Sequence, residues 1–564
     1  MSATDTEFDV VVLGTGGAGL VAAVAAADRG ASVAVFEKGE RIGGTTALSG
    51  GTTWIPANPH RGDVEDGRAD GLAYLASLSH GMIDPALAEA FVDTGPEFVE
   101  WVERATPLRY HLVPGLPDYH PEHPGGLPGG GRSLDPALFC FGELGPWAER
   151  VVPAQRTPRL TLTETPLGGG TGAAASPTRA ERREQDWRGC GHALVGSLLK
   201  ALLDRGVEPV TGARATELLR DSPADPAAVT GVRFDDGTEV TARHGVVIAT
   251  GGFEWDPELV ASFLRGPMTS PASVPTNTGD GLRMAMGAGA ALGTMREAWW
   301  VPTIEIPGDE AFGRQRAQLV LRERTLPRSI MVNRTGRRFT NEAANYNALG
   351  GAFHQFDPTA FDYANLPCWL IFDARYLREY GFLGAPPGSP APDWVTSAPD
   401  LPALTAALGL PSGSLPDTVS RWNTAVEGGT DPEFGRGASA YDGWNGDLDG
   451  YPGPGATLGP LTEAPFHAVE IHSGTLGTKG GPRTDVDGRV LSLSGAVIPG
   501  LYAAGNAMSG VTGMVYGGAG GTLGPGMVFG YRAGRHAGAA AGPGPRTSGP
   551  APSTSAPSTP GAGR

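Results

Sequence analysis

A phenol and a glycine-rich backbone occur together near the end of the chain, in residues 513–525. Tyr516 supplies the phenol, and glycines precede and follow it. Glycine leaves a backbone mobile and lets its amide approach a ligand closely. A phenol and a nearby amide suit the binding of a ketone oxygen, because both can stabilise negative charge that develops there. These residues therefore predict where a reacting group is held.

Another glycine pattern lies near the start of the chain. Gly14, Gly16 and Gly19 follow a short β-branched run and open an alanine-rich helical run, and Glu37 ends the next β-branched run. In such a strand–helix–strand unit the glycines let a pyrophosphate approach the helix N-terminus, and the acid accepts hydrogen bonds from ribose hydroxyls. The pattern predicts a dinucleotide site, but it does not separate NAD from FAD.

Further donors favour FAD. Residues 41–51 bring backbone amides and hydroxyls just beyond the ribose acid, and two later strand-like runs end in glycines within 249–252 and 502–506. An extended flavin needs such a track of donors, and the ends of parallel strands meet at one edge of a sheet. The residues predicted to bind the cofactor are Gly14, Gly16, Gly17, Ala18, Gly19, Glu37, Lys38, Gly43, Gly44, Thr45, Thr46, Ser49, Gly50, Gly51, Gly251, Gly252, Gly505, Asn506, Gly521, Thr522 and Leu523.

Composition excludes several classes of partner. The chain has 564 residues, enough for more than one domain and a large core. Its 43 basic and 60 acidic residues give a net charge of −17, which argues against nucleic acid and anionic membrane surfaces. No apolar run is long enough to span a bilayer, and residues 1–9 lack a secretory leader, so a cytoplasmic location is expected. The three scattered cysteines predict neither a disulfide framework nor a zinc site, and no metal is expected.

The order of patterns predicts an α/β protein. A Rossmann-type FAD-binding domain with a parallel sheet is expected in residues 1–290 and 467–541, with a surface excursion at about 114–185. A smaller α+β catalytic domain, residues 291–466, is expected to interrupt it and to cap the flavin. Residues 542–564 are almost entirely Pro, Gly, Ser, Thr and Ala. Such a segment cannot bury enough apolar area to fold, so a disordered tail is predicted.

Individual elements are also predicted. Helices are expected at 192–205 and 525–541, a strand at 500–504, and a β-hairpin at 329–340. The pair Arg337-Arg338 is expected on a solvated face of this hairpin, and Trp299-Trp300 in packing. Lys479 is interpreted either as a solvated loop residue or as a contact to the flavin edge.

Together these motifs resemble the FAD-dependent fumarate reductase/succinate dehydrogenase flavoprotein superfamily, and within it the chain looks most similar to the 3-ketosteroid Δ1-dehydrogenases. The resemblance covers almost the whole chain except about residues 154–183 and the tail. The general flavin motifs indicate only the superfamily. The more selective motifs lie on the substrate side, and they are Asp118-Tyr-x-Pro-Glu122, Asn341-Glu-x-x-x-Tyr346, Gly477-Thr-Lys-Gly-Gly481 and Tyr516-x-x-x-Gly520-Gly-Thr-x-Gly-Pro525.

The resemblance implies a reaction in which a double bond is introduced beside a 3-ketone. It implies that Tyr516 and the N–H of Gly520 hold the ketone oxygen. Tyr346 would then remove the proton from carbon 2, assisted by Tyr119, while hydride leaves carbon 1 for flavin N5. A free phenol has a pKa of about 10, so a hydrogen bond from Tyr119 is expected to lower the pKa of Tyr346.

Two departures from the family's usual sequence leave the substrate open. Gly517-Gly518-Ala519 stands where Pro-Gly-Pro is common, and Asn345 precedes Tyr346. A desaturase of a non-steroid polycyclic ketone, such as a secondary metabolite or terpenoid, is therefore an alternative, as is an enone- or fumarate-reductase-like reductase. A dicarboxylate site is disfavoured, because fumarate reductases need an arginine proton donor that is absent between Gly505 and Gly530.

The expected cofactor is FAD bound non-covalently, because the first histidine is His60 and the flavin-binding stretch before it has none. There is no second dinucleotide fingerprint, since the glycine run at 168–172 follows no strand pattern. Reduced flavin is therefore expected to pass electrons to an external, quinone-like acceptor. The expected substrate is a small apolar ketone, and a non-catalytic binding module is the remaining alternative class.

Overall fold

The computed structural model describes residues 6–153, 159–172, 176–222 and 227–539. The strands are β1 (Glu7–Leu13), β2 (Val33–Glu37), β3 (Thr53–Trp54), β4 (Tyr110–Leu112), β5 (Ser133–Pro136), β6 (Phe139–Cys140), β7 (Trp187–Arg188), β8 (Val210–Thr211), β9 (Ala215–Arg220), β10 (Val229–Phe234), β11 (Glu239–Ile248), β12 (Ser270–Pro271), β13 (Leu292–Gly293), β14 (Ala298–Ala311), β15 (Arg314–Leu319), β16 (Ser329–Asn333), β17 (Phe356–Asp357), β18 (Asp362–Tyr363), β19 (Cys368–Asp373), β20 (Thr396–Ala398), β21 (Phe466–Thr478), β22 (Gly481–Pro482), β23 (Arg489–Leu491) and β24 (Val497–Ala503).

The α-helices are α1 (Gly17–Ala27), α2 (Gly44–Leu48), α3 (Arg68–Leu78), α4 (Pro85–Ala105), α5 (Ser176–Glu184), α6 (Cys190–Asp204), α7 (Pro257–Phe263), α8 (Asp280–Gly287), α9 (Leu349–Phe353), α10 (Ala374–Tyr380), α11 (Leu401–Ala407), α12 (Ser414–Glu427), α13 (Ala440–Trp444) and α14 (Leu523–Ala539). Short 3-10 helices cover Phe141–Arg150, Pro166–Gly168, Gly453–Ala456 and Gly505–Ala507. The predicted strand, helix and strand near the start are confirmed as β1, α1 and β2. The later predictions correspond to α6, β24 and α14, with residues 540 and 541 outside the described residues.

An eight-stranded sheet contains the first of these elements. Its main order is β23-β24-β11-β1-β2-β8, with β10 beside β11 and β9 beside β10. β1 pairs in parallel with β2 and β11, and β11 pairs in parallel with β24. Val10, Val11 and Val12 are fully buried, as a β-branched run in the middle of a parallel sheet requires. The predicted α/β fold with a parallel sheet is confirmed.

Helices α1 and α14 pack against each other at unusually short range. A Cβ atom on Gly530 would lie 2.4 Å from the carbonyl oxygen of Ala18, and one on Gly534 would lie 2.2 Å from that of Ala22. Side chains at these two positions would force the helices apart. The two helices therefore join residues from near the two ends of the chain into one layer on the parallel sheet.

A second, seven-stranded sheet has the order β15-β14-β21-β19-β16, with β12 and β20 also paired to β21. Its pairs are antiparallel except for β12 with β21. Strand β21 extends past residue 466, and β12 precedes residue 291. The division of the chain into domains at these two residues stays a prediction.

The prediction of a β-hairpin at 329–340 is wrong for its second strand. Strand β16 forms, but it pairs along its length with β19, and only a single bridge joins Val332 to Arg338. Arg338 is buried and ion-paired with Glu342 at 2.7 Å and Asp431 at 2.8 Å. Of the predicted solvated pair, only Arg337 is exposed. The buried carboxylates draw Arg338 inward, because each charge needs a partner away from water.

The predicted surface excursion at 114–185 includes buried residues in its first half, among them Asp118, Tyr119 and Arg132. The predicted tail, 542–564, lies outside the described residues. Within the part of the chain that the structure describes, none of the helices combines the length and the apolar character needed to cross a membrane.

Candidate active site

An elongated cavity of about 800 Å³ runs from the carboxyl ends of the parallel strands to the second sheet. All four predicted catalytic residues line it. Every predicted cofactor-binding residue also lines it, except Gly19, Gly43, Gly252 and Gly521. The cavity therefore joins the two glycine patterns, which are about five hundred residues apart in the sequence, into one site.

The turn after β1 forms one end of this cavity. Gly14 has a φ of +104°, and a Cβ there would lie 2.3 Å from the carbonyl oxygen of Ala249. Helix α1 begins at Gly17, whose N–H donates to the Thr46 hydroxyl at 3.0 Å. The Glu37 carboxylate accepts from the N–H and hydroxyl of Thr15, at 3.1 and 2.6 Å. This end brings a helix N-terminus, hydroxyls and a carboxylate together.

The four predicted residues that do not line the cavity lie behind its wall. A Cβ on Gly19 would lie 2.1 Å from the Gly14 carbonyl oxygen, and one on Gly252 would lie 2.2 Å from the Thr478 hydroxyl. Gly43 has a φ of +107° and donates its N–H to the Thr15 hydroxyl. The Gly521 N–H donates to the Gly518 carbonyl. These residues shape the wall by close packing and turns.

Sequence reasoning missed residues 276–280 at this end. Thr276, Asn277 and Asp280 line the cavity, and Asp280 pairs with Lys38 at 2.9 Å. The Asn277 amide also donates to the Thr45 hydroxyl at 3.2 Å. The signal available in the sequence was the Gly-Asp-Gly run that opens α8, which has the turn glycine and first-turn acid of a helix start.

The other end of the cavity, which the sequence predicts to hold the ketone and which we call the ketone end, contains a cluster of buried aromatic rings. Tyr119 donates a hydrogen bond to the Tyr346 hydroxyl at 3.0 Å, with ring centroids 5.4 Å apart. The ring of Tyr516 lies 5.1 Å from that of Tyr119 and 5.4 Å from that of Tyr346. All three side chains line the cavity. Residues from three distant segments therefore meet at one place, as the sequence motifs predicted.

The acid–base properties of these phenols differ from the expectation. Burial raises the pKa of Tyr346 and of Tyr119 well above the ordinary value for tyrosine, and it raises the pKa of Tyr516 as well. The prediction that Tyr119 lowers the pKa of Tyr346 below that of a free phenol is wrong. Loss of hydration destabilises the buried Tyr346 phenolate, and the neighbouring Tyr119 adds to the rise in the pKa of Tyr346.

A fourth tyrosine belongs to the cluster and was not predicted. The Tyr441 ring, on α13, lies 4.8 Å from the ring of Tyr119 and lines the same cavity. Burial raises the pKa of Tyr441 to about 12, and the charge of Arg324 opposes this rise. The sequence around Tyr441 has no spacing that marks it, because its contact with Tyr119 arises only in the folded chain.

The Tyr119 segment is fixed to the Tyr516 segment through one carbonyl. The Gly517 oxygen accepts from the Tyr119 N–H at 2.9 Å and from the Tyr74 hydroxyl at 2.8 Å. Just before Tyr119, the buried Asp118 carboxylate accepts from Arg132 at 2.7 Å. Burial raises the pKa of Asp118 to about 6, against the opposing effect of Arg132. Tyr119 is thus held by a well-connected polar network.

The Tyr346 segment has its own supports. Asn341 donates to Asp442, next to Tyr441, at 2.9 Å. The adjacent Glu342 carboxylate is fully buried and accepts from Arg338 at 2.8 and 2.7 Å and from the Met331 N–H at 3.0 Å. The conspicuous Asn-Glu pair of this motif therefore anchors the backbone that carries Tyr346.

Gly520 completes the ketone end. Its φ is +97°, and a Cβ there would lie 2.5 Å from the Thr52 carbonyl oxygen. Its carbonyl accepts from the Trp54 N–H, while its own N–H donates to no other residue of the described chain. The Thr522 hydroxyl donates to the Tyr516 oxygen at 3.0 Å. A phenol proton and a backbone N–H are therefore both available along this wall.

Lys479 is not a solvated loop residue. Only 1% of it is exposed, and its ammonium lies 3.8 Å from the centre of the Trp299 ring. Trp299 packs as predicted, but it also contacts the Tyr516 ring at 4.8 Å and donates to the Asn506 side chain at 2.9 Å. The interpretation of Lys479 as exposed is therefore wrong.

The residues of this cavity fit an extended dinucleotide such as FAD. Gly14, Gly16 and Gly17 leave the N-terminus of α1 open to a pyrophosphate, and a Cβ on Gly14 would fill this turn. Glu37, on the wall at the end of β2, retains acceptor capacity for ribose hydroxyls. Gly505 and Asn506 continue the wall toward the tyrosines, where a flavin ring would face a ketone.

Comparison with known proteins gives the same assignment. A family described as FAD binding domain matches residues 9–523. The 4-oxocyclohexanecarboxylate 2-dehydrogenase of Sinomonas cyclohexanicum is 41% identical over 542 residues, covering 95% of this chain and 94% of that protein. The 3-oxosteroid 1-dehydrogenase of Mycobacterium tuberculosis (strain ATCC 25618 / H37Rv) is 38% identical over 582 residues, covering 96% and 100%.

A solved structure is similar over nearly the same length. It is the 3-ketosteroid delta1-dehydrogenase from Sterolibacterium denitrificans in complex with 1,4-androstadiene-3,17-dione. The TM-score is 0.88 at 34% sequence identity, covering 95% of this chain and 100% of that one. The similarity therefore extends over nearly the whole chain, which contains both large sheets.

Proposed function

This chain belongs to the FAD-binding domain family of flavoproteins, and from that premise we propose that it forms a carbon–carbon double bond beside a ring ketone. It is an FAD-dependent oxidoreductase of the kind that acts on CH–CH groups. The substrate that we propose is a 3-ketosteroid, desaturated between carbons 1 and 2. The observation that carries this proposal is the cluster of Tyr119, Tyr346 and Tyr516 beside Gly520 on one cavity wall.

Tyr516 and Gly520 are the proposed donors to the ketone oxygen. Because the pKa of Tyr516 is raised by burial, its phenol keeps its proton at neutral pH and can donate it. The hydrogen bond from Thr522 occupies the phenol oxygen and leaves that proton for another acceptor. Two donors aimed at one oxygen stabilise an enolate, and one such donor contributes about 3 kcal/mol to a transition state.

Tyr346 is the proposed base for the proton beside the ketone. Since burial raises its pKa, Tyr346 is a neutral phenol at neutral pH, and only its small phenolate fraction can accept a proton. The Tyr119 hydroxyl donates to the Tyr346 oxygen at 3.0 Å, so Tyr119 lies where it can hydrogen-bond the oxygen that would accept the proton. Tyr441, beside Tyr119, extends the row of hydroxyls away from the ketone.

The reaction removes two hydrogens from neighbouring carbons. The proton passes to Tyr346, and the hydride carries both electrons of the second C–H bond. When bound, FAD supplies the acceptor for that hydride. The chain orients the ketone between its donors and its base and keeps water away from the enolate, because the surrounding tyrosines and Trp299 are buried.

A steroid is supported by two of the similar proteins. The relative from Mycobacterium tuberculosis is a 3-oxosteroid 1-dehydrogenase, and the similar solved structure contains 1,4-androstadiene-3,17-dione. The cavity also continues beyond the tyrosines along apolar side chains, including Leu319, Leu321 and Phe382. An extended apolar wall suits a fused-ring ketone.

A smaller acidic ketone is the second candidate. The relative from Sinomonas cyclohexanicum, at 41% identity, is a 4-oxocyclohexanecarboxylate 2-dehydrogenase. Arg322 lines the cavity next to Leu321 and donates to the Gly446 carbonyl, so a guanidinium is present near the ketone end. A carboxylate on the ring opposite the ketone could bind such a group. The carbon chemistry is the same in both candidates.

The electrons taken from the substrate must leave the protein. We propose an external quinone-like acceptor, because the sequence contains no second dinucleotide fingerprint. Non-covalent binding of FAD and a cytoplasmic location are retained as predictions from the sequence.

The test is anaerobic mixing of the purified flavoprotein with a panel of ketones, following loss of flavin absorbance. The panel contains 3-ketosteroids, 4-oxocyclohexanecarboxylate and non-steroid polycyclic ketones. We expect bleaching by 3-ketosteroids and a product with one new double bond conjugated to the ketone. Bleaching by the small acid alone would favour the second candidate, and no bleaching by any ketone would refute both.

A further inference from the structure

Lys479 follows β21 and enters the protein beneath the segment that carries Tyr516. Its ammonium donates to the Gly513 carbonyl at 3.2 Å and to the Val515 carbonyl at 2.7 Å. Its own carbonyl accepts from the Gly510 N–H at 2.8 Å. One buried residue therefore holds three points of the loop that ends at Tyr516.

The same ammonium connects this loop to the flavin side of the cavity. It lies 3.8 Å from the centre of the Trp299 ring, within the range of a cation–π interaction. The edge of Trp299 packs against the Tyr516 ring, with centroids 4.8 Å apart. The indole N–H donates to Asn506, a predicted flavin-binding residue, at 2.9 Å. The contacts form a continuous path from Asn506 to Tyr516.

We propose that Lys479 is a positioning residue for ketone binding, which fixes Tyr516 relative to the flavin-binding wall through the loop carbonyls and Trp299. The proposal rests on the proposed function, because it assumes that Tyr516 binds the ketone oxygen. Lys479 does not line the main cavity, so it acts through Tyr516 and makes no contact with substrate.

The charge of Lys479 has no carboxylate within ion-pair distance among the described residues. The charged groups that act on the lysine are Glu297 and Arg265, which pair with each other at 3.1 Å and shift the pKa of Lys479 in opposite directions. Burial lowers the pKa of Lys479 to about 7, while Glu297 opposes this change. The lysine is therefore mostly an ammonium below neutral pH and mostly a neutral amine above it.

Loss of this proton weakens the support of the loop without removing it. The neutral amine can still donate to two carbonyls, but the charge-assisted strength of these bonds and the attraction to Trp299 are lost. Tyr516 then becomes less fixed at the ketone. In flavin reduction, the Michaelis constant is the ketone concentration that gives half of the limiting rate. We expect this constant to rise as the pH increases through about 7, whereas the limiting rate of flavin reduction does not fall.

The experiment compares Lys479→Met, Lys479→Arg and the wild type in anaerobic flavin reduction across pH 6 to 9, with Lys200→Met as the matched control. Lys200 is a lysine on α6 that pairs with Asp204 and does not line the cavity. In Lys479→Met we expect a Michaelis constant raised about tenfold and independent of pH, with FAD retained. In Lys479→Arg the dependence near neutral pH should disappear, because a guanidinium stays charged.

A wild-type Michaelis constant that does not change with pH would overturn the inference, as would a Lys479→Met variant that keeps the wild-type dependence. If Lys479→Met fails to retain FAD, the wild type and Lys479→Arg still decide, because both keep a basic side chain at this position and only the wild-type lysine is expected to lose its charge near neutral pH. If no ketone reduces the flavin of the wild type, both the proposed function and this inference are overturned. If ketones reduce the wild-type flavin normally and the Lys479 variants have the wild-type Michaelis constant at every pH, only the inference is overturned.

Discussion

The dinucleotide end of the cavity and its ketone end differ in the part of the residue that they use. At the dinucleotide end, glycines such as Gly14 and Gly16 leave backbone uncovered along the wall. At the ketone end it is mainly side chains, with Tyr119, Tyr346 and Tyr516 arriving from separate segments. A backbone site depends on the absence of side chains, whereas a side-chain site depends on the packing that aligns distant segments.

Because of this difference, we expect the two ends to tolerate different kinds of substitution. A substitution at Gly14 adds atoms where the Ala249 backbone is already in contact, so it affects binding of the cofactor and the fold together. A tyrosine changed to phenylalanine at the ketone end keeps the ring and loses one hydroxyl, so it affects chemistry with little change in packing.

The largest effect is expected at the dinucleotide end, from Gly14→Ala. The new Cβ would lie 2.3 Å from the Ala249 carbonyl, at a φ of +104° that alanine rarely adopts. We expect purified protein without yellow colour, measured by flavin absorbance after denaturation. Gly212→Ala is the control, because a Cβ there meets no atom within 4 Å at a similarly positive φ. A yellow Gly14→Ala protein with normal affinity for FAD would contradict the close-contact argument.

The next effect belongs to Tyr346→Phe. Loss of the proposed base should slow flavin reduction by about 10³-fold while ketone binding and FAD content stay close to wild type. Stopped-flow reduction and ketone titration measure the two quantities separately. Tyr451→Phe is the matched control, because it removes a hydroxyl that bonds to Arg375 and Glu379 away from the cavity. If Tyr346→Phe still exchanges the ketone's α-proton with solvent at the wild-type rate, Tyr346 is not the base.

A smaller effect is expected from Tyr516→Phe. This change removes one of two proposed donors to the ketone oxygen, so both binding and the reduction rate should weaken, by about 10²-fold in their ratio. FAD should be retained, because the Tyr516 ring still packs against Trp299. The same stopped-flow series measures the loss. A loss confined to the rate, with unchanged binding, would show that Tyr516 does not contact the ketone before reaction.

The smallest effect, counted for each pH unit, is expected in the pH dependence of the limiting rate of flavin reduction. Burial raises the pKa of Tyr346 above its ordinary value, so the reactive phenolate fraction increases about tenfold with each pH unit below that pKa. The limiting rate of flavin reduction in the wild type should therefore rise steadily between about pH 7 and about pH 9. A rate that is level over this range would mean that another group controls proton removal.

The sequence predicted the dinucleotide end well because its signals are local. Gly14, Gly16 and Gly19 lie within six residues between a strand and a helix, so their roles follow from the turn that they form. At the ketone end, the glycine-rich surroundings singled out Tyr516, whereas Tyr119 and Tyr346 were identified only through a family resemblance. No property of the intervening sequence requires these two residues to meet.

The errors share one physical cause, which is burial determined by distant partners. Arg338 was predicted to be solvated, but its carboxylate partner Asp431 is 93 residues away. Lys479 was not recognised as buried because the carbonyls that it binds lie more than thirty residues further on. The raised pKa of Tyr346 depends on the same tertiary burial. Tyr441 could not be predicted, because it reaches the cluster only through α13.

The close contact between α1 and α14 also has a consequence for synthesis of the protein. Helix α1 follows the turn that we predict to bind the pyrophosphate, but one of its faces is covered only when Gly530 and Gly534 of α14 lie against Ala18 and Ala22. A nascent chain that has left the ribosome up to residue 500 therefore lacks the partner of its first helix. Because α14 ends at Ala539, the last described residue, we expect the cofactor to bind only after nearly all of the described chain has been synthesised.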